Sequence, residues 1–251
     1  MPPRTYAVAN QKGGVGKTTT AVNLAACLAE AGERCLLVDL DPQANATSGI
    51  GGRANGSSTH DLLDGAPLAE LTKPTSFANL DLVPAKQDLA VAAVELSNRA
   101  DGEQYLAQAL RGATENYAFV FLDCPPSFGP LTVNALAAAD RVIVPVQAEY
   151  YALEGLSQLL GSINLVKGRL NPGLAVAGIL LTMVDGRTRL SAEVEQELRR
   201  HFGSLVFTTF VPRSVRLAEA PSHGLPAIAY DRASAGAQAY WKVAMELVER
   251  S

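Results

Sequence analysis

The sequence predicts an α/β fold: a doubly wound, mostly parallel sheet with helices on both faces. Three observations predict it. Short, continuous apolar runs of strand length alternate with stretches of helical periodicity from end to end of the 251-residue chain. The first such run is followed by a glycine-rich segment, Gln11–Thr20 (QKGGVGKTTT), and then by a helical stretch. Two further runs end in aspartate and are cut off by proline, at Asp41-Pro42 and just after Asp123. At 48% hydrophobic and 18% charged residues, the composition supports a sizeable core, and the length favours a single domain over residues 1–251.

The elements follow in order. Thr5–Ala9 reads as a strand buried on both faces. Ala21–Ala31 reads as a helix, with Val22, Leu24, Ala25 and Leu28 along one side and Gly32 as its stop. Cys35–Leu40 is a second strand, ending in Asp39-Leu40-Asp41-Pro42. Side chains alternate across a strand, so Asp39 and Asp41 are expected to point the same way, and a carboxylate pair there suits a metal and a water. Gln43–Thr59 lacks periodicity and reads as a loop, the place for a nucleotide switch. Asp61–Leu71 reads as a short helix, Leu80–Pro84 as a strand, and Asp88–Leu96 and Glu103–Leu110 as helices. Tyr117–Pro126 (YAFVFLDCPP) is an apolar strand ending in Asp123. Leu131–Ala139 is helical, Arg141–Val146 a strand, and Leu153–Lys167 an amphipathic helix. Leu174–Val184 is a buried strand and Ala192–His201 a charged helix. Leu205–Val211 reads as a last strand before Pro212-Arg213-Ser214-Val215-Arg216, and Ala233–Glu249 as the terminal helix.

The glycine-rich segment carries the chemistry. Glycine lets backbone N–H groups converge on an anion where a Cβ would obstruct it, and a helix beginning at that point adds its positive end. Lys17 supplies charge for the outer phosphates and Thr18 a hydroxyl for Mg²⁺. The ordinary pattern G-x-x-x-x-G-K-[ST] is not met, because Gln11 stands where the first glycine belongs. K-G-G-x-G-K-T stands instead, with an additional lysine, Lys12. Lys17 already serves the loop, so Lys12, on the far rim, is free to act on the nucleotide of a second subunit. A cation supplied in trans neutralises charge spreading over the transferred phosphoryl group.

This segment resembles the deviant Walker A loop of the ParA/MinD superfamily of P-loop NTPases. With DLDPQANATSG and VPRSVRLAEAP, the resemblance narrows to the ParA/Soj family of chromosome- and plasmid-partition ATPases and covers Thr5 to about Val248. The sequence shows no N-terminal helix-turn-helix extension, so it looks like the short, chromosomal type. The resemblance implies that Gly13, Gly14, Val15, Gly16, Lys17, Thr18 and Thr19 cradle the phosphates of ATP. It implies that Thr18 and Asp123 hold Mg²⁺, that Asp41 supports the metal site and positions the attacking water, and that Lys12 reaches across a dimer. Pro212 and Arg213 match a segment lying against the adenosine. Arg187 and Arg216 match positions implicated in DNA binding once two subunits have joined; taken singly, either reads as a surface or salt-bridging arginine. The implied partners are a second copy of the chain, non-specific double-stranded DNA, and a ParB/Spo0J-like centromere-binding protein that stimulates slow hydrolysis. The implied place is the cytoplasm, on the nucleoid.

Composition limits the alternatives. Net charge is −4, with 10 basic and 16 acidic residues in 1–150 against 11 and 9 in 151–251, so any basic patch is local to the second half. No signal peptide opens the chain, and Leu174–Val184, the longest apolar stretch, is well short of the ~20 residues of a membrane helix. A MinD-like membrane-docking ATPase requires a basic amphipathic tail, and WKVAMELVERS is not one. An iron–sulfur reductase needs paired cysteines, whereas Cys27, Cys35 and Cys124 are scattered in apolar runs. A tyrosine autokinase should carry a tyrosine-rich tail, which this sequence lacks. The three histidines show no metal-ligand spacing.

Overall fold

The computed structural model describes residues 4–149 and 152–250. The strands are β1 (Arg4–Val8), β2 (Cys35–Asp39), β3 (Lys73–Pro74), β4 (Leu80–Val83), β5 (Phe119–Asp123), β6 (Arg141–Gln147) and β7 (Ala175–Thr182). They form one seven-stranded sheet in the order β3-β4-β2-β5-β1-β6-β7. Every pairing is parallel except that of the two-residue edge strand β3 with β4. The helices are α1 (Lys17–Glu30), α2 (Asn45–Gly49), α3 (Thr59–Leu63), α4 (Leu68–Leu71), α5 (Leu89–Asn98) and α6 (Tyr105–Leu110). They continue with α7 (Pro130–Ala138), α8 (Ala152–Arg169), α9 (Arg189–Phe202), α10 (Val215–Glu219), α11 (Ala227–Tyr230) and α12 (Ala235–Glu249).

Strand alternation splits the core in two, one half for each face of the sheet. Tyr6 and Val8, Cys35 and Leu37, and Phe119 and Phe121 face α1 and α12. Ala7, Leu36, Val38, Val120 and Leu122 face the layer of α5 to α8. α12 buries Tyr240, Val243, Ala244 and Leu247 in the first of these cores, so its apolar face is spent on the fold. The doubly wound reading therefore holds. β1 lies between β5 and β6, with β2 placed on one side and β6 on the other. The loop after β1 thus opens at the carboxyl edge where the winding changes direction, the usual ligand position in such sheets.

Three expectations need correction. Gln43–Thr59 is not wholly a loop: residues 45–49 form α2, and Ser58 and Asp61 form a reciprocal capping box at the start of α3. Asp61–Leu71 is not one helix, because Gly65-Ala66-Pro67 separates α3 from α4. Leu205–Val211 does not form a strand; its ladder with β7 is reduced to the isolated bridge Ile179–Val206, with a second, Val184–Pro212, just beyond it. Phe207 N–H donates to Ile179 O (2.9 Å) and Val211 N–H to Leu181 O (2.8 Å). Two steps along β7 therefore answer four along the segment, and Thr208 and Thr209 loop out. Their N–H groups donate to the Glu246 carboxylate instead, at 2.7 and 3.0 Å.

Candidate functional site

The glycine-rich loop leaves β1 and turns into α1 through two left-handed residues, Gly14 (φ 75°) and Gly16 (φ 87°). An L side chain at either position would be strained, which is the local reason for glycine here. Gly16 caps α1 without a side-chain hydrogen bond, so the first N–H groups of a 14-residue helix are left for an anion. Asn10 braces the entry: its Nδ2 donates to Pro145 O (2.7 Å) and its Oδ1 accepts from Lys12 N–H (3.0 Å). Thr182 Oγ1 donates to Val15 O (2.9 Å) and ties the loop to β7.

Lys17 is nearly buried, and its Nζ donates to Lys12 O (2.9 Å) across the loop. Burial, first, pulls its pKa below the ordinary lysine value, while Asp123, Cys124 and Asp41 act in the opposite direction. Thr18 and Thr19 are half-buried at the start of α1.

Asp39 and Asp123 are opposite one another in the β2–β5 register and share strand parity with the residues that face α1. Both are fully buried. The sequence treats Asp39 and Asp41 as a matched pair; the structure separates their roles. Asp39 accepts from Thr47 N–H (2.8 Å), Thr47 Oγ1 (2.7 Å) and Asp41 N–H (3.1 Å), so it holds α2 in place. Burial, partly offset by those hydrogen bonds, pushes its carboxyl up to about 6. Asp41 is also buried, but its side chain is engaged by one backbone donor, Gln43 N–H (2.9 Å).

Neither carboxylate oxygen of Asp123 has a hydrogen-bond partner of normal geometry among the described residues. Burial foremost, then the charge of Asp39, pushes its carboxyl well above the usual range; the neighbouring Thr18 hydroxyl and the Lys17 ammonium oppose this. A buried carboxylate with both oxygens orphaned is costly in an isolated protein and is what a divalent cation repairs. Thr18 and Asp123 therefore fit a magnesium site, with Asp41 beside them.

Lys12 lies on the exposed rim, as expected, but it is not free: its Nζ pairs with Glu149 just beyond β6. The two line a cavity of about 390 Å³ with Asn10, Gln147, Glu154 and Gly155, beside the loop. On the other side of the loop is a second cavity of about 190 Å³. Pro212 and Arg213 form one wall, with Gly16, Thr19, Met183 and Tyr240 around it. Arg187 and Arg216 are exposed and each is paired within the chain. Arg187 makes a bidentate contact with Asp185 (2.9 and 2.7 Å); Arg216 meets Glu219 (2.8 Å) and Asp231 (3.3 Å). Cys124 is buried, as are the other two cysteines, so none is presented to a partner surface.

Glu149, Thr47, Met183 and Glu246 are the site's supporting residues that sequence reasoning missed. Of these, Thr47 lay within the quoted DLDPQANATSG stretch, and its hydroxyl five residues after a proline break was the available signal; Glu246 lay in the quoted tail, with nothing there to point to the site.

The loop, the lysine within it, the helix N-terminus and the unpartnered aspartate opposite define a P-loop nucleotide-binding protein that carries a second lysine, Lys12, next to the glutamine standing where the usual first glycine belongs. A family model described as "AAA domain" matches residues 3–176. The chain is 56% identical over 247 residues to the chromosome-partitioning ATPase Soj of Thermus thermophilus, covering 98% of this chain and 96% of that one. It is 52% identical over 250 residues to the chromosome partitioning protein ParA of Myxococcus xanthus, covering 98% and 88%. Among solved structures, it is similar to one titled cobyrinic acid a,c-diamide synthase from Mycobacterium smegmatis, with bound ATP analogue and magnesium. That match has a TM-score of 0.86 at 38% identity and covers 98% of this chain and 95% of that one. The chain belongs to the Soj/ParA family of chromosome-partitioning ATPases.

Proposed function

We propose that the protein is a DNA-partitioning ATPase in which magnesium-ATP joins two subunits into a dimer that binds DNA without sequence preference. The observation that carries the reading is the pair of orphaned Asp123 oxygens facing a lysine-bearing, left-handed glycine turn. Backbone N–H groups from Gly13 to Thr19 and the Lys17 ammonium bind the triphosphate. To do so, Lys17 Nζ turns from Lys12 O to the outer phosphates. The adenosine takes the cavity walled by Pro212 and Arg213. Magnesium, held by Thr18 and Asp123, neutralises charge on the outer phosphates when bound. Asp41 orients the attacking water. The neighbour structure with bound ATP analogue and magnesium supports the same ligand class here.

Lys12 completes the site from the opposite subunit. For that, it leaves Glu149, an exposed pairing that costs little to break. Two subunits double each basic surface, and phosphate contacts accumulate with salt dependence, so an acidic chain gains DNA affinity on dimerising. Arg187 follows β7 and Arg216 follows the Pro212–Arg213 wall; to meet DNA each exchanges an exposed intrachain pair, with Asp185 or with Glu219 and Asp231, for phosphate. A ParB/Spo0J-like partner stimulates hydrolysis and release, and the protein acts in the cytoplasm on the nucleoid.

The test is DNA binding across a salt series with ATP, ADP and no nucleotide, using the native chain, Lys12→Ala and Arg187→Glu. Binding by the native chain with ATP alone, lost in Lys12→Ala, supports the reading. Arg187→Glu should lower the slope of log affinity against log salt by about 1 per subunit. Equal binding in all nucleotide states overturns the switch.

A further inference from the structure

The ladder between β7 and the segment after Phe207 changes register a second time, at the cavity itself. Val211 N–H donates to Leu181 O (2.8 Å), which sets Leu181 opposite Phe210. Val184 N–H donates to Val211 O (3.1 Å) and Arg213 N–H to Val184 O (3.1 Å), which sets Val184 opposite Pro212. Three steps on one side therefore answer two on the other, and the stretch Thr182–Met183 holds one residue too many. Met183 absorbs it by taking φ 52°, a left-handed conformation that a long side chain rarely adopts and glycine adopts freely. A strained residue held in place at a ligand cavity points to a use for its side chain. That side chain lines the cavity bounded by Pro212 and Arg213, and its Cε lies 4.0 Å from where a Cβ on Gly16 would stand.

We propose that Met183 is the residue that grips the base of the bound nucleotide, the bulge serving to aim its thioether into the cavity against an aromatic purine. The chemistry suits the ligand: sulfur is polarisable, favours aromatic edges, and sits on a flexible stem that fits an irregular gap. The ring of Pro212 forms an apolar wall of the same cavity. This rests on the phosphate-cradle reading above, because the cradle places the base on this side of the loop. Met183 acts on affinity for the nucleoside and on the choice of base; the phosphates are left to the loop.

The experiment compares the native chain with Met183→Gly, Met183→Ala and Met183→Leu by calorimetric titration with magnesium-ATP, magnesium-GTP and magnesium tripolyphosphate. Met183→Gly should melt no lower than the native chain, since glycine relieves the backbone. It should bind tripolyphosphate as the native chain does and ATP about tenfold more weakly, with the preference for ATP over GTP reduced. Met183→Ala keeps the strained backbone without the thioether and should show the same loss of ATP affinity. Met183→Leu should stay within about threefold of native. If Met183→Gly and Met183→Ala both fold and bind ATP like the native chain, the inference is wrong. If the native chain fails to bind tripolyphosphate, the phosphate-cradle reading is what fails.

Discussion

Replacing Asp123 with asparagine should stabilise the protein free of metal and nucleotide while abolishing its response to magnesium. The physical basis is the burial of both carboxylate oxygens without a hydrogen bond of normal geometry among the described residues, beside a second buried acid, Asp39. A carboxyl whose pKa is higher in the folded than in the unfolded chain takes up protons on folding. Stability is then greatest below the unfolded value near 3.8 and is lost as pH climbs through the folded one. The penalty cannot exceed the work of keeping the group protonated, which is about 1.5 kcal/mol at pH 5 and about 4 kcal/mol at pH 7. Asparagine, neutral at every pH, escapes that penalty. Urea unfolding in EDTA from pH 4 to pH 8 should therefore show Asp123→Asn gaining on the native chain as pH rises, within a ceiling of about 4 kcal/mol at pH 7. With ATP present, added magnesium should raise the native midpoint and leave that of Asp123→Asn in place. A variant less stable than native at pH 7, or one whose advantage does not change with pH, would refute the account of Asp123 as an unpaid buried charge awaiting a cation.

Two further substitutions probe the surroundings of the site. Thr47→Val removes the hydroxyl that donates to Asp39 (2.7 Å) and accepts from Ala85 N–H (2.9 Å). It should cost about 1–3 kcal/mol in urea unfolding and move the Asp39 titration upward from about 6, read by carboxyl NMR; an unmoved titration counts against Asp39 as the anchor of α2. Glu149→Gln frees Lys12 from an exposed pair worth about 0–1 kcal/mol in each of two subunits, so ATP-dependent dimerisation of an Asp41→Ala background, expected to be hydrolysis-blocked, should tighten by at most about 30-fold in sedimentation. A weaker dimer would mean that Glu149 helps the assembly instead of holding Lys12 back.

The strands were legible because parallel strands buried on both faces must be continuous apolar runs, and Phe119–Asp123 or Ala175–Thr182 could hardly be anything else. The phosphate loop was legible for a related reason: its donors all come from one short stretch of backbone, so spacing alone describes it. α2 was not. Asn45–Gly49 (NATSG) has poor helix propensity, and the helix stands because Asp39, eight residues before Thr47, accepts two of that residue's hydrogen bonds. The run Leu205–Val211 has the composition of a strand and fails as one. Glu246, more than 35 residues further on, takes the N–H groups of Thr208 and Thr209, and no local pattern announces it.

The same division runs through the site's chemistry. The groups proposed to meet the phosphates and metal lie within the loop or at strand ends, and their residue types and spacing disclose them. What decides how the site is used is set by distant pairings. Lys12 is restrained by a residue 137 positions away, and the Pro212–Arg213 wall is placed by a bulge at Met183 and a carboxylate on α12. Alternation along β2 makes Asp39 and Asp41 equivalent on paper. Thr47 breaks the tie by filling the acceptors of Asp39, and that leaves Asp41 as the acid near the loop with side-chain capacity to spare. The proposal that Asp41 positions the water thus draws support from what Asp39 is already doing, a physical ground independent of any family pattern.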